Sequence, residues 1–327
     1  VAMTTLLGRG KCGGHLTLIF TVEDSHEDPY FQGSRGAGIC LDDGVESIAK
    51  GEVGEGILTI NGINTSFDDS LYHDVLQELI KEIPEIHEYD WELSIRMSLP
   101  ASQGFGMSAS GAIASAISIQ RAIGVPHEEC LRRSFMLAHL VERRRSSGLG
   151  DTTALSSGGV ERRIVPGSPF SGKLLDHGPG KANSWGASFP VLLSWKERTG
   201  THTSEYIDQP EWKERISKAG DGAMDSLSLG DWNMERWSEL IQESRLFSSY
   251  SGLTKDSSRS ELLNIIDEVI VKEGLSDSVT PLLCMLGESV VIVPLDPQNQ
   301  EDWVSRLIPN LEQNQLRTFA SRVGTPN

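Results

Sequence analysis

Between Pro100 and Ala112 the chain reads PASQGFGMSASGA, and an apolar helical pattern follows at once. So much bare backbone at a helix mouth has two readings. The glycines let two elements pack closely, or they let exposed amides approach an anion. A strand, a glycine turn and a helix N-terminus form a phosphate site, because the free N–H groups point outward and the helix dipole favours negative charge. Gly104 to Ala109 satisfies the loose G-x-G-x-x-A dinucleotide pattern. That pattern needs a strand–turn–helix–strand unit with an acidic residue about 20 positions on. Here two helices follow in succession, and Glu128 and Glu129 lie at a helix start. A Walker A loop requires a lysine, and the stretch has none. A close helix crossing explains the glycines and alanines but not the cluster of Ser102, Ser108 and Ser110. Those hydroxyls can donate to phosphate or coordinate a phosphate-bound Mg²⁺.

The elements that must carry this loop read as follows. Strands are expected at Leu16–Val22, Ala37–Leu41 and Gly56–Ile63, and a helix over Asp69–Ile83 with Asp69 as its cap. WELSIRM alternates cleanly, with Trp91, Leu93, Ile95 and Met97 on one face, and runs straight into Pro100. The helix after the glycine stretch ends at Gly124, and a second begins at His127 and is broken by SSGLGD. That helix places His139 and Glu142 on one face, and the turn after it is of the kind that presents a carboxylate, Asp151, into a cleft. GGVERRIVPGSP reads as turn, strand, turn. Leu174 to Ser188 reads as loop and as the domain boundary. The second half offers strand Phe189–Trp195, a helical block from Trp212 to Tyr250, helix Ser260–Lys272, strand Ser289–Val293, a short helix near Trp303 and a last strand at Leu316–Phe319. Strands flanked by helices give an α+β class.

At 327 residues two domains sharing a cleft are expected, 1–180 and 181–327. No run of eighteen apolar residues exists, which excludes a membrane helix. VAMTTLLGRGKCGG carries no secretory pattern, and Met3 is a candidate start. The four cysteines, Cys12, Cys40, Cys130 and Cys284, form no CxxC pair and read as reduced thiols of a cytoplasmic protein. A net charge of −17 argues against a nucleic-acid surface. The one basic cluster, Arg143 to Arg145, reads as a solvated helix end.

The glycine stretch resembles the phosphate-binding motif of the GHMP kinases, which phosphorylate small metabolites with ATP and Mg²⁺. Their two-domain α+β fold joins a ribosomal-protein-S5-domain-2-like N-terminal domain to a ferredoxin-like C-terminal one. GGHLTLIF (Gly13 to Phe20), DPYFQGSRGAGICL (Asp28 to Leu41), AHLVERRRSSGLGDTTALSSGG (Ala138 to Gly159) and MLGESVVIV (Met285 to Val293) are similar, in the same order, to segments of archaeal pantoate kinases. Gly13 stands where that family usually has proline, Leu18 where it has glycine, and Ser147 where it has threonine.

The resemblance implies ATP-dependent phosphorylation of pantoate to 4-phosphopantoate in coenzyme A synthesis. It implies that Gly104, Phe105, Gly106, Met107, Ser108, Ala109, Ser110 and Gly111 hold the ATP phosphates, with Ser108 and Glu142 on Mg²⁺. Asp151 would accept or orient the substrate hydroxyl proton; as a plain structural residue it would cap the TTALSS turn. His15 occupies the place of a lysine near the γ-phosphate in mevalonate kinases; a hydrogen-bonded core histidine is the alternative. Arg35 is the candidate for the pantoate carboxylate, with Gly33, Gly36 and Gly38 leaving amides free, Ser34 beside it, and Thr17 to meet a hydroxyl. A homodimer would fit relatives. The rivals are a homoserine, mevalonate or shikimate kinase of the same fold, and a ligand sensor that has lost catalysis.

Overall fold

The computed structural model describes residues 5–63, 68–186, 188–197, 210–285, 287–299 and 301–326. Met3, Ala187 of the loop-like stretch and Leu286 of MLGESVVIV lie outside the described residues.

The elements run β1 (Leu6–Phe20), β2 (Gly36–Val53), β3 (Leu58–Ile63), α1 (Ser70–Glu82), β4 (Tyr89–Met97), α2 (Met107–Ala122), α3 (His127–Arg144), α4 (Asp151–Ser157) and β5 (Val160–Val165). Two short strands follow, β6 (Phe170–Ser171) and β7 (Asp176–His177), and then β8 (Lys181–Trp185) and β9 (Pro190–Lys196). The rest is α5 (Pro210–Leu227), α6 (Trp237–Tyr250), α7 (Ser257–Lys272), β10 (Val279–Cys284), β11 (Ser289–Pro294), α8 (Trp303–Gln313) and β12 (Leu316–Arg322). One sheet has the order β3-β4-β2-β5-β8, with β1 also paired to β2; the other has the order β10-β11-β9-β12. The α+β class holds.

β1 begins ten residues before the expected strand, because LLGRGKCGGH looks like a turn-forming run. Its glycines have another cause. A Cβ at Gly8 would lie 2.0 Å from the Ser118 carbonyl, and one at Gly10 would lie 2.0 Å from the Ala114 carbonyl. α2 therefore rests directly on the backbone of β1. The close crossing lies just beyond the glycine stretch, at Ala114 and Ser118, while the positive φ of Gly104 and Gly106 shapes the mouth of α2.

Several boundaries differ from expectation, each for a physical reason. Asp69 does not cap α1; the carboxylate of Asp68 accepts from the Ser70 amide at 3.0 Å. The stretch expected to be loop contains β8, whose polar residues suit an edge of the first sheet. VTPLLC forms β10 despite Pro281, which an edge strand tolerates because one side of it needs no ladder donors. The block from Trp212 to Tyr250 is two helices, split around Gly230, whose φ is +66°. Of Arg143 to Arg145 only Arg144 is exposed, and all three are bonded. Arg143 is buried and donates to the Ser147 carbonyl at 3.0 Å, Arg144 pairs with Glu78, and Arg145 pairs with Asp68 and Asp74. These bonds pin the end of α3 to α1.

The buried residues of both sheets form one continuous apolar cluster. The second sheet and its helices meet the first at β2, where Leu41 bridges Val323 and the Ser321 hydroxyl donates to Asp43 at 2.8 Å, and at β1. The Met285 amide donates to the Thr17 carbonyl at 3.0 Å, and the Phe20 and Phe247 rings are 5.5 Å apart.

Candidate functional site

α2 opens without a side-chain cap. Gly106, with φ +67°, takes the capping position, so the first-turn amides keep the orphan donors every helix start has. Gly104 also has positive φ, at +79°, and a Cβ there would sit 3.1 Å from the carbonyls of Cys284 and Met285. The segment after β10 thus closes one wall of the loop. It is held there by the Ser289 hydroxyl, which donates to the Gln103 carbonyl at 2.5 Å. Phe105 is buried edge-on against Trp195, and its carbonyl accepts from the His15 amide at 3.0 Å. The motif residues then divide. Ser108 faces the mouth. Met107, Ala109, Ser110 and Gly111 are buried, with the Ser110 hydroxyl donating to the Cys12 carbonyl at 2.7 Å and Gly111 set against the Tyr72 hydroxyl.

The Ser108 hydroxyl donates to Oε1 of Glu142 on α3. Glu142 is 1% exposed, and its Oε2 has no hydrogen-bond partner among the described residues. Burial pushes its carboxyl up to about 7, against the lowering effect of the Ser108 bond and with a further rise from the Asp151 charge. A Cβ at Gly148 would lie 2.3 Å from Glu142 Oε2 and 2.6 Å from Asp151 Oδ2. The glycine of the SGLGD turn therefore leaves room for two carboxylates to converge. Asp151 begins α4, whose N-cap is Gly150, so it is not the cap residue of the alternative reading.

On its other side Asp151 meets His15. Nδ1 of the ring lies 2.6 Å from Asp151 Oδ1, Nε2 lies 3.0 Å from Glu161 Oε1, and the side chain is fully buried. The register of β1 shifts between Gly13 and His15 and again between Thr17 and Ile19, and such bulges re-aim side chains. His15 and Thr17 both point toward Asp151, with Thr17 Oγ1 at 3.4 Å from Asp151 Oδ1. Burial alone would lower the His15 pKa, but the hydrogen bonds to Asp151 and Glu161 raise it overall. Burial alone would raise Asp151, but the hydrogen bond and charge of His15 hold it below the usual carboxylate range.

The GSRGAG residues are placed less simply. Arg35 Nη1 lies 3.0 Å from Asp221 on α5, and its side chain is 28% exposed. Ser34 is buried, its hydroxyl donating to the Arg35 carbonyl at 2.8 Å. The Gly33 amide donates to the Glu23 carbonyl at 2.7 Å. Gly36 and Gly38 are strand residues of β2, opposite Arg163 and Glu161 of β5. Their missing side chains leave space for those neighbours: a Cβ at Gly36 would be 2.6 Å from Arg163 Nη2, and one at Gly38 would be 2.9 Å from Glu161 Oε1.

Glu161 and Arg163 escaped the sequence reading. Arg163 Nη1 lies 2.5 Å from Glu161 Oε1 and 3.2 Å from His15 Nε2, and both side chains are buried. The available signal was VERRIV, in which opposite charges two positions apart share one strand face. His139 also proves structural in its contacts. Nε2 donates to the Pro29 carbonyl at 2.9 Å, Nδ1 lies 3.2 Å from the Thr152 hydroxyl, and burial holds its pKa down to about 4, so the ring is neutral.

Residues 70–159 match the family model described as GHMP kinases N terminal domain. A solved structure titled "Phosphotransferase related to CoA biosynthesis pathway" superposes with a TM-score of 0.75 at 23% identity, covering 98% of each chain. The fold is that of the GHMP kinases. Two curated relatives are pantoate kinases. That of Thermococcus kodakarensis is 32% identical over 171 residues, which is 51% of this chain and 55% of the relative. That of Methanospirillum hungatei is 28% identical over 160 residues, 48% of this chain and 52% of the relative. The chain thus spans about half the length of the curated relatives it matches. These matches bear out the resemblance read from the sequence motifs.

Proposed function

We propose that this protein transfers the γ-phosphoryl group of ATP to the 4-hydroxyl of pantoate, giving ADP, 4-phosphopantoate and a proton. The observation that carries this reading is the convergence of Ser108, Glu142 and Asp151 at the mouth of an uncapped helix. GHMP-fold kinases use ATP, and the loop from Gly104 to Ser108 offers the triphosphate free amides and a helix N-terminus.

The donor set fits Mg²⁺. A buried carboxylate with one orphaned oxygen, next to a serine hydroxyl, supplies hard oxygen ligands, and Mg²⁺ takes one or two such ligands while phosphate and water fill the rest. Glu142 and Ser108 would hold it, and bound Mg²⁺ would neutralise charge on the phosphate oxygens. Every other task falls to side chains. Asp151 orients the acceptor hydroxyl; held below the usual carboxylate range, it is a weak proton acceptor, so alignment matters more than abstraction. His15 is the cation beside the phosphate. Thr17 would meet an acceptor hydroxyl beside Asp151, Ser34 and Gly36 would back the acceptor side from within the core, and Arg35 would exchange Asp221 for the pantoate carboxylate. In the reaction the hydroxyl oxygen forms a bond to the γ-phosphorus, the bond to the ADP oxygen breaks, and the hydroxyl proton leaves toward Asp151 and water.

The partners are then a nucleotide and a small acid. Among the described residues no helix is long and apolar enough to cross a membrane. The test is ADP release with Mg-ATP against pantoate, homoserine, mevalonate and shikimate. Turnover on pantoate alone supports the reading, and turnover on another alcohol replaces the acceptor. ATP binding without turnover on any of them overturns the enzyme in favour of a sensor.

A further inference from the structure

The four ionisable side chains His15, Asp151, Glu161 and Arg163 form a connected chain, buried at His15, Glu161 and Arg163 and opening toward the mouth at Asp151. Asp151 Oδ1 faces one ring nitrogen of His15 at 2.6 Å, and Glu161 Oε1 faces the other at 3.0 Å. Arg163 Nη1 shares that same Glu161 oxygen at 2.5 Å, and Arg163 Nη2 donates to the Ile19 carbonyl at 3.1 Å. A neutral imidazole has one N–H and satisfies one carboxylate, its bare Nε2 accepting instead from Arg163 Nη1 at 3.2 Å; an imidazolium has two N–H groups and satisfies both carboxylates. With His15 charged, the quartet holds two positive and two negative groups and sums to zero, as a buried cluster must to avoid an uncompensated charge. With His15 neutral, it would carry a net negative charge inside the core.

We propose that Glu161 is a positioning residue for phosphoryl transfer, fixing the His15 ring as a doubly protonated cation between itself and Asp151. The space for this is built into the backbone. A Cβ at Gly38 would come within 2.3 Å of the Leu16 carbonyl, 2.7 Å of His15 Nε2 and 2.9 Å of Glu161 Oε1, so glycine there admits both the close pairing of β1 with β2 and the meeting of ring and carboxylate. The bulges flanking His15 turn its ring toward both acids. The charged or titratable groups facing the ring are Asp151 from α4 and Glu161 and Arg163 from β5, with Glu142 of α3 beyond Asp151. Thr17 from its own strand contributes a hydroxyl at 3.3 Å from Nδ1, and the Cys40 thiol of β2 is held neutral by burial. In an acidic protein whose site already gathers Glu142 and Asp151, this cation offsets charge where a triphosphate must arrive. Glu161 touches neither nucleotide nor acceptor in this scheme; it acts through His15.

The inference rests on the proposed kinase reading, but its first measurement needs no substrate. Ring ¹⁵N NMR of histidine-labelled, ligand-free protein reports the charge of His15, with Glu161→Gln as the comparison. The expected result is a wild-type ring with two N–H groups at pH 7, its charge persisting to higher pH than in Glu161→Gln. In Glu161→Gln the ring becomes neutral at lower pH, keeping its Nδ1–H donated to Asp151. The second measurement is kcat against pH with Mg-ATP and whichever acceptor turns over. Relative to wild type, Glu161→Gln loses about tenfold per pH unit once the pH exceeds the variant's His15 pKa. A neutral His15 in wild-type protein at pH 7 overturns the proposal even if the variant does not fold. So does a Glu161→Gln enzyme whose ring charge and pH profile are unchanged, or one whose activity drops equally at every pH with the ring still charged. Failure of the kinase reading looks different: a charged His15 in a protein that turns over nothing.

Discussion

Ser108 donates a hydrogen bond to one oxygen of Glu142 and leaves the other oxygen buried without a partner among the described residues. A buried acid in that state prefers to be neutral, which is why its pKa is pushed up to about 7.

The first expectation concerns stability. Because the folded pKa of Glu142 exceeds its unfolded value, the folded chain binds more protons between about pH 4.5 and 7, and stability falls as pH rises through that window. The cost at pH 8 is at most about 3 kcal/mol. Glu142→Gln should therefore raise the melting temperature of ligand-free protein at pH 8 and leave it nearly unchanged at pH 5, while Mg²⁺-dependent turnover disappears. Equal melting curves at both pH values would show that Glu142 is not strained.

Gly148→Ala should separate function from folding. Its Cβ would press on the ends of two side chains, Glu142 and Asp151, and not on backbone. We expect a small change in melting temperature and a fall in kcat on the order of 100-fold, the scale associated with a shift of about 1 Å in a positioned group. Unchanged kcat would mean that the two carboxylates do not act at the reacting centre.

Gly10→Ala should do the opposite. There the added carbon meets the Ala114 carbonyl at 2.0 Å, and neither β1 nor α2 can yield without moving the core. Destabilisation on the order of 3 kcal/mol is expected, read as a drop in the denaturation midpoint. A variant with wild-type stability would refute the direct seating of α2 on β1.

Asp151→Asn keeps the shape of the side chain and removes its charge. We expect kcat to fall at least ~100-fold with little change in the KM for ATP, measured by coupled ADP release. Retained kcat would remove Asp151 from the chemistry. In wild type the depressed Asp151 pKa keeps that carboxylate ionised down to pH 5, so activity should show no loss from this group between pH 8 and 5.

The parts of the site legible in the sequence are those written locally. The glycine mouth before α2 and the SGLGD turn before Asp151 each carry their geometry within a few residues, and the structure brings Ser108, Glu142, Asp151, His15 and Thr17 together. Glu161 and Arg163 were hidden because charged residues in a strand normally mark a solvent face. Here β5 lies inside the sheet, and the glycines opposite it, Gly36 and Gly38, create the cavity that lets those charges turn inward. GSRGAG was read as a source of free amides, but the Gly33 amide is bonded to Glu23 and Gly36 and Gly38 lie within the ladder. Such pairing is a property of register, which no single segment reveals.

The buried quartet also dictates the order in which a nascent chain can mature. His15 leaves the ribosome early, yet its partner Asp151 follows 136 residues later in sequence, and Glu161 and Arg163 come later still. Until β5 has been synthesised, β1 and β2 can pair, but the Nε2 side of the His15 ring lacks its partner carboxylate, Glu161. The site around His15 is therefore finished only when the strand that supplies both Glu161 and Arg163 arrives.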